Sequence, residues 1–375
     1  MTALPQPAAQ RPFGHLWRWT SNPLALLEEG AGRAPVFELR LWRRAVVGYR
    51  PDWNRSVLGD LDTFRSQGSL SGLTPYLDGG VVHTDVPRHA ARRRDLNPHF
   101  STRALAGTTG QLHALVDSAL PSGPFDALGW AGRTVRRLLN LVLFAGRLPD
   151  PLLAEFLAPL HQPPPHPLLP RPRLFRQIRT AIDGALTDPP PGSLPAALAG
   201  LDGDAAEELR IALAAGYDTT AHTLAWGLWH LAETPGWRRA DAVDAVLDEV
   251  LRLHPAGWLG SRVTHRDTVA AGVALPAGTL VLYSPYLTHR DPELWSAPDR
   301  FRPERFAAGG RPAWAYLPFA AGRRTCLGAH LARLVLRTAL TAFCSGELVV
   351  LGGDPTPRTG ITLRPKGPLW LARRT

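Results

Sequence analysis

Apolar residues recur at helical spacing along most of the chain and alternate with polar ones mainly near its two ends. Residues 130–144 place apolar side chains three and four apart. Residues 204–234 carry helical sequence through about eight turns at 3.6 residues per turn, with Asp218, His222 and His230 inside an otherwise apolar run. Residues 240–253 predict an amphipathic helix that stops at His254-Pro255, because a residue before proline avoids the helical region. Further helices are predicted over 85–120, with a breaker at Asn97-Pro98, and over 327–343. Strand-like runs fall at 36–41, 45–49, 262–283, 348–351 and 361–363, while 291–318, rich in Pro, Trp and Arg, predicts little regular structure. Residues 159–172 are proline-dense and predict a semi-rigid extended connection inside one domain, since helical sequence flanks them closely. No internal repeat is present. The expected fold class is mainly α with small β-sheets (α+β), as a single domain over residues 1–375.

With 45% apolar and 20% charged residues, the 375-residue chain can bury a large core. Its net charge of +10 raises nucleic acid, an anionic membrane or an acidic protein as partners. Lys366 is the only lysine among 42 basic residues, and the arginines are spread along the whole chain. This reflects coding bias at least as much as phosphate binding, and a nucleic-acid binder ranks last. Cys326 and Cys344 are too few for a disulfide framework and suit a reducing cytoplasm. Residues 1–10 lack a basic start followed by an apolar run, so no signal peptide is expected. Residues 211–232 and 268–289 approach the length of membrane spans. The first carries Asp218, His222 and His230, and the second is broken by Pro276, Pro285 and glycines. A soluble cytoplasmic protein with no membrane anchor is expected.

The most informative stretch is Phe319-x-x-Gly322-x-Arg324-x-Cys326-x-Gly328, just before a predicted helix. A thiolate at a helix N-terminus is favoured by exposed N–H groups and the helix dipole. Gly322 and Gly328 permit tight turns and close approach to a flat group, and Arg324 can grip a carboxylate. An axial thiolate ligand to haem iron needs all of these. The bland alternative is a buried structural cysteine in a glycine turn. Five fixed positions in one pattern favour the functional reading.

Other clusters stand upstream. Asp218, Thr219 and Thr220 follow Gly216 in the long helix, where buried polar groups are costly without a purpose. A hydroxyl beside a carboxylate can hold water and relay protons, or the threonines can simply bond back to the preceding turn. Glu249 and Arg252 share a helical face, which alone is an ordinary pair worth a few tenths of a kcal/mol. His89 and Arg93, four residues apart, could bind paired carboxylates or belong to a solvated basic face with Arg88, Arg92 and Arg94.

Taken together, these residues resemble the cytochrome P-450 family of haem-thiolate monooxygenases, in its soluble bacterial type, from about residue 84 to 328 in the expected order. The resemblance implies a cytochrome P-450 fold with haem b between the long central helix and the cysteine-loop helix. It implies Cys326 as proximal iron ligand, with Phe319 and Gly328 against the haem, and Arg324, His89, Arg93 and Arg262 on its propionates. Asp218 and Thr219 become the acid and alcohol of oxygen activation. Glu249 and Arg252 gain a third partner, Arg305, in a structural role behind the haem loop. Cys344 has no such surroundings and reads as a core or partly buried thiol.

The implied reaction inserts one oxygen atom from O2 into an apolar organic substrate. Residues 66–77 carry no charge, and Trp258 and Leu259 fall where the family lines its pocket. The chain has no room for a fused reductase, so electrons are expected from a ferredoxin and its reductase, or a flavodoxin-like donor. Arg92, Arg323, Arg333 and Arg337 are expected to form a basic docking face. Alternatives are a peroxide-driven haem-thiolate enzyme and a non-catalytic haem-thiolate sensor. Two departures from the family pattern stand out: residues 140–215 are short and proline-rich where substrate-capping helices are usual, and Val335 replaces a common glutamate.

Overall fold

The computed structural model describes residues 3–9, 12–70, 75–161, 171–201, 203–307 and 309–374. The long apolar stretch forms one helix, Ala205–Glu233, opened by Asp204, whose carboxylate accepts from the Glu207 amide at 3.0 Å. Buried side chains occur all round this helix, so it passes through the core instead of lying on its surface. It packs against Ala127–Phe144, Pro172–Thr187, Val243–Leu253 and Ala329–Ala342. Asp126 caps the first of these through the Leu128 and Gly129 amides. A Cβ on Gly227 of the central helix would stand 2.8 Å from Leu340 Cδ2, so the bare glycine lets the last helix cross close by.

The N-terminal strands Val36–Arg40 and Arg44–Gly48 form a hairpin. Leu280–Tyr283 joins it in parallel, Gly260–Thr264 follows antiparallel, and Phe64–Arg65 closes the edge of this five-stranded sheet. A second sheet pairs Leu369–Arg374 with Glu347–Gly353 and Pro124–Asp126. The expected strand at 361–363 is displaced. Pro357–Thr359 and Leu363–Pro365 are the paired strands, and residues 360–362 are the turn between them, closed by the Gly360 amide on Thr362 O at 2.9 Å.

Most of the proline-dense run, residues 162–170, lies outside the described residues. At its edges the expectation of extended chain is corrected: Ala158–His161 is a 3-10 turn, and Pro172 opens the helix Pro172–Thr187. Proline suits a first helical turn because the N–H it lacks would have no partner there. Asp150–Leu157 and Leu194–Ala199 are also helical. Among the described residues no helix is long and apolar enough to cross a membrane.

Candidate active site

The cysteine loop is built by backbone geometry. Gly322 has φ +68, and a Cβ there would come 2.7 Å from Leu58 O, so only glycine fits the turn. A 3-10 turn, Gly322–Arg324, follows, and the Cys326 amide then donates to Phe319 O at 2.9 Å. The helix Ala329–Ala342 starts three residues after Cys326. Cys326 is accessible only in the sense that it opens onto an internal cavity of about 620 Å³. Protein packed round it raises the thiol pKa by desolvation, while the Gly328 amide and the Arg93 charge act in the opposite direction.

His89, Arg93, Arg262, Phe319, Arg324 and Gly328 all line the same cavity, so residues far apart in the chain converge on one seat. Arg324 is ion-paired with Asp85 at 2.7 Å and also donates to the carbonyls of Val82 and Thr84. Arg93 donates to Thr325 O at 2.8 Å, and Arg262 donates to the carbonyl of its neighbour Ser261 at 2.7 Å. The Nε of each of these three arginines is buried without a hydrogen-bond partner, an expensive state unless a ligand completes it. His89 is buried, and desolvation first, then the charge of Arg324, lowers its pKa to about 4, so it is neutral at pH 7. Among the described residues no acid pairs with Arg93 or Arg262, so the seat keeps two uncompensated positive charges beside a thiol. That donor set fits a flat dicarboxylate carrying a thiolate-binding metal, as haem does.

On the opposite wall, consecutive residues of the central helix diverge. Thr219 faces the cavity and donates its hydroxyl to Ala215 O at 2.7 Å. Asp218 does not line the cavity. Its Oδ2 accepts from the Thr362 hydroxyl at 2.7 Å, and His222 Nδ1 lies 3.6 Å away. Burial pushes its carboxyl up to about 7, with Thr362 and the charge of Arg364 opposing. Read from sequence as one constellation, Asp218 and Thr219 are thus about 100° apart on the helix. Thr362, His222 and Asp85 escaped that reading. His222 and Asp85 had local signals, each four residues from a residue singled out, whereas Thr362 had none.

Behind the loop, Glu249 and Arg252 form a fully buried pair at 2.7 Å, and Arg305 reaches Glu249 at 3.1 Å, as expected. Cys344 is partly buried. The expected basic face is largely neutralised: Arg92 pairs with Glu208 at 3.3 Å, Arg333 with Asp248 at 2.6 Å, and Arg337 with Asp244. Arg323 is exposed.

Comparison with known proteins agrees with this architecture. A family model described as Cytochrome P450 matches residues 241–345. A putative cytochrome P450 139 of Mycobacterium tuberculosis is 26% identical, covering 81% of this chain and 85% of that protein. Cytochrome P450 3A1 of Rattus norvegicus is 35% identical, but over 34% of this chain and 30% of that protein. Among solved structures, a 6-coordinated cytochrome P450 from Thermus thermophilus superimposes with a TM-score of 0.79 at 25% identity, covering 95% of this chain and 99% of that one. CYP175A1, from another strain of the same species, gives 0.83 at 24% identity, covering 99% and 100%. The fold is that of these structures, and proteins of this kind are in general haem-thiolate monooxygenases. The chain has the fold of cytochrome P450 structures and, over residues 241–345, the sequence pattern of the Cytochrome P450 family model.

Proposed function

We propose that this chain is a monooxygenase that holds haem b through Cys326 and inserts one oxygen atom from O2 into an apolar organic substrate. The observation that carries the reading is the pairing of the Cys326 thiol with two uncompensated arginines, Arg93 and Arg262, in one apolar-walled cavity. When bound, haem supplies the activation of O2 and the transfer of one oxygen atom.

The chain's own residues do the rest. Cys326 would hold the iron as a thiolate, a charge favoured by the Gly328 amide and by Arg93. Arg93 and Arg262, each with an Nε that has no partner, would hold the cofactor's carboxylates, with His89 and Arg324 beside them, and Phe319 and Gly328 would border it from the cavity wall. Thr219 commits its own proton to Ala215 O, which leaves the hydroxyl lone pairs to accept from water in the cavity. Asp218 stores a proton next to it in sequence, near its pKa at neutral pH. Leu70, Leu77, Trp258, Leu259 and Ile361 exclude water and suit an apolar substrate. A ferredoxin with its reductase, or a flavodoxin-like donor, provides two electrons per turnover; the intracellular donor makes a cytoplasmic location the natural one.

The test is the absorption spectrum of the reduced protein under carbon monoxide. A strongly red-shifted Soret band is expected, and its loss in Cys326→Ala. Absence of bound haem from the parent protein would sink the reading.

A further inference from the structure

Behind the cysteine loop, His289 follows the short helix Pro285–Thr288 and is fully buried. Arg252, held by Glu249 at 2.7 Å, clasps it in two directions. The Arg252 guanidinium donates to His289 O at 2.7 Å, and His289 Nδ1 donates to Arg252 O at 2.9 Å. The far side of the ring meets the chain that enters the cysteine loop, where the Leu317 amide donates to Nε2 at 2.7 Å. Trp295 stands edge-on to the imidazole and Tyr316 stacks on it at 28°, with ring centroids 6.3 and 5.6 Å away, so its plane is fixed.

The partners decide which nitrogen carries the hydrogen. A carbonyl oxygen only accepts and a backbone amide only donates, so Nδ1 bears the hydrogen and Nε2 is bare. From Leu317 the restraint passes to Cys326 through two further bonds. The Ala320 amide donates to Leu317 O at 3.1 Å, and the Cys326 amide donates to Phe319 O at 2.9 Å. Pro318, between Leu317 and Phe319, has its φ locked by its ring. Leu317 and Phe319 also line the cavity onto which the thiol opens.

We propose that His289 is a positioning residue for the cysteine loop. It carries the fixed position of the buried Glu249–Arg252 pair to the Leu317 amide, and so holds the backbone of Cys326 where its sulfur can stay on the iron. The inference rests on the haem-thiolate reading above. Without the Nε2 acceptor, the amide of buried Leu317 loses its partner and the turn that leads to Cys326 is free to shift. Two substitutions separate the bonds. The side-chain amide of asparagine reaches as far as Nδ1 does, and that of glutamine as far as Nε2. His289→Asn therefore keeps a donor for Arg252 O and loses the acceptor for Leu317. His289→Gln does the reverse, while Arg252 still donates to the carbonyl at 289.

The first assay takes the holoenzyme, reduced under carbon monoxide in dilute urea, and follows the rate at which the red-shifted Soret band gives way to that of a neutral ligand. His289→Asn is expected to speed this conversion about ten-fold, the scale of one buried hydrogen bond, and His289→Gln to stay near the parent rate. Should His289→Asn not fold, His289→Gln alone decides: a rate near the parent's supports the link through Nε2, and a rise as large as that expected of His289→Asn overturns it. The second assay needs no variant. In ¹⁵N-labelled parent protein, with and without haem, a scalar coupling across the hydrogen bond is expected between the Leu317 amide nitrogen and His289 Nε2. Equal damage in both variants, to the rate or to folding, assigns His289 to packing alone and overturns the proposal. A parent-like rate in His289→Asn, or a missing coupling, overturns it as well. Failure of the haem reading looks different: the parent protein lacks the red-shifted band, while the coupling persists in its haem-free form.

Discussion

Arg324 of the cysteine loop and Asp85, which lies one helical turn before His89, form an ion pair at 2.7 Å with both side chains more than nine-tenths buried. Asp85 also accepts the Ser66 and Gln67 amides at 2.8 and 2.9 Å. One carboxylate therefore joins the cysteine loop to the start of the uncharged segment that borders the cavity. Removing it leaves a buried guanidinium unpaired. Asp85→Asn is expected to destabilise the haem-free protein by about 3 kcal/mol. The loss should be smaller with haem bound, because a propionate can then share the charge. Urea unfolding of both forms checks this; equal losses in the two would mean that Arg324 does not face the cofactor.

The Glu249–Arg252–Arg305 triad is expected to behave unequally. Glu249→Gln strands two cations, Arg252 being fully buried, and should cost about 3–5 kcal/mol. Arg305→Ala leaves the inner pair intact and should cost markedly less. A double-mutant cycle by chemical denaturation measures the difference.

Thr219→Ala is expected to retain haem and its carbonyl spectrum while diverting reductant to hydrogen peroxide. The hydroxyl facing the cavity is lost, and nothing else on the helix wall changes. Parent-like use of reductant would remove Thr219 from proton delivery.

Acid stability carries two opposing contributions. His289 is fully buried, and desolvation lowers its pKa from 6.5 to about 3. Its neutral form is favoured by folding, so this stability is complete above 6.5 and is lost as pH falls toward 3. His254 acts in the same direction. Asp218, raised from 3.8 to about 7, does the reverse: stability falls as pH rises through that window. In Asp218→Asn the opposing part is gone, and stability should drop by about 2 kcal/mol or more between pH 7 and pH 5. The parent protein should show a flatter profile by the same urea titration.

Electron delivery should depend on salt less than the net charge suggests, because Arg92, Arg333 and Arg337 already have acidic partners. Asp244→Asn frees Arg337, whose side chain is 59% exposed. The first-electron transfer rate from ferredoxin is expected to rise at low ionic strength and to fall more steeply with salt. Stopped-flow reduction over a range of ionic strength decides it.

The helical core was legible because its signals are local. Apolar spacing marked the central helix, Asp204 marked its start, and proline marked the end of the helix that carries Glu249 and Arg252. The cysteine loop was legible for the same reason, with its glycines and arginine inside ten residues. What the pattern could not disclose was the direction of side chains with long-range partners. Asp218 turns from the cavity toward a hydroxyl 144 residues away, and Arg324 is held by an acid 239 residues away. The arginines expected on a docking face carry the right charge in the sequence, but their neutralising acids sit on other segments. The 361–363 strand was mistaken for the same kind of reason: Thr362 belongs to a turn shaped by a contact with the helix beneath it.

The bare position at Gly227 has a mechanical meaning for the cofactor. The helix it touches through Leu340 begins three residues after Cys326, while Gly227 lies eight residues, or about 12 Å, along the helix from Thr219. A methyl group inserted there would stand 2.8 Å from Leu340 Cδ2, so the tip of that leucine would have to give way. The helix that follows the thiol and the helix that carries the Thr219 hydroxyl can therefore lie at their present spacing because residue 227 has no side chain between them.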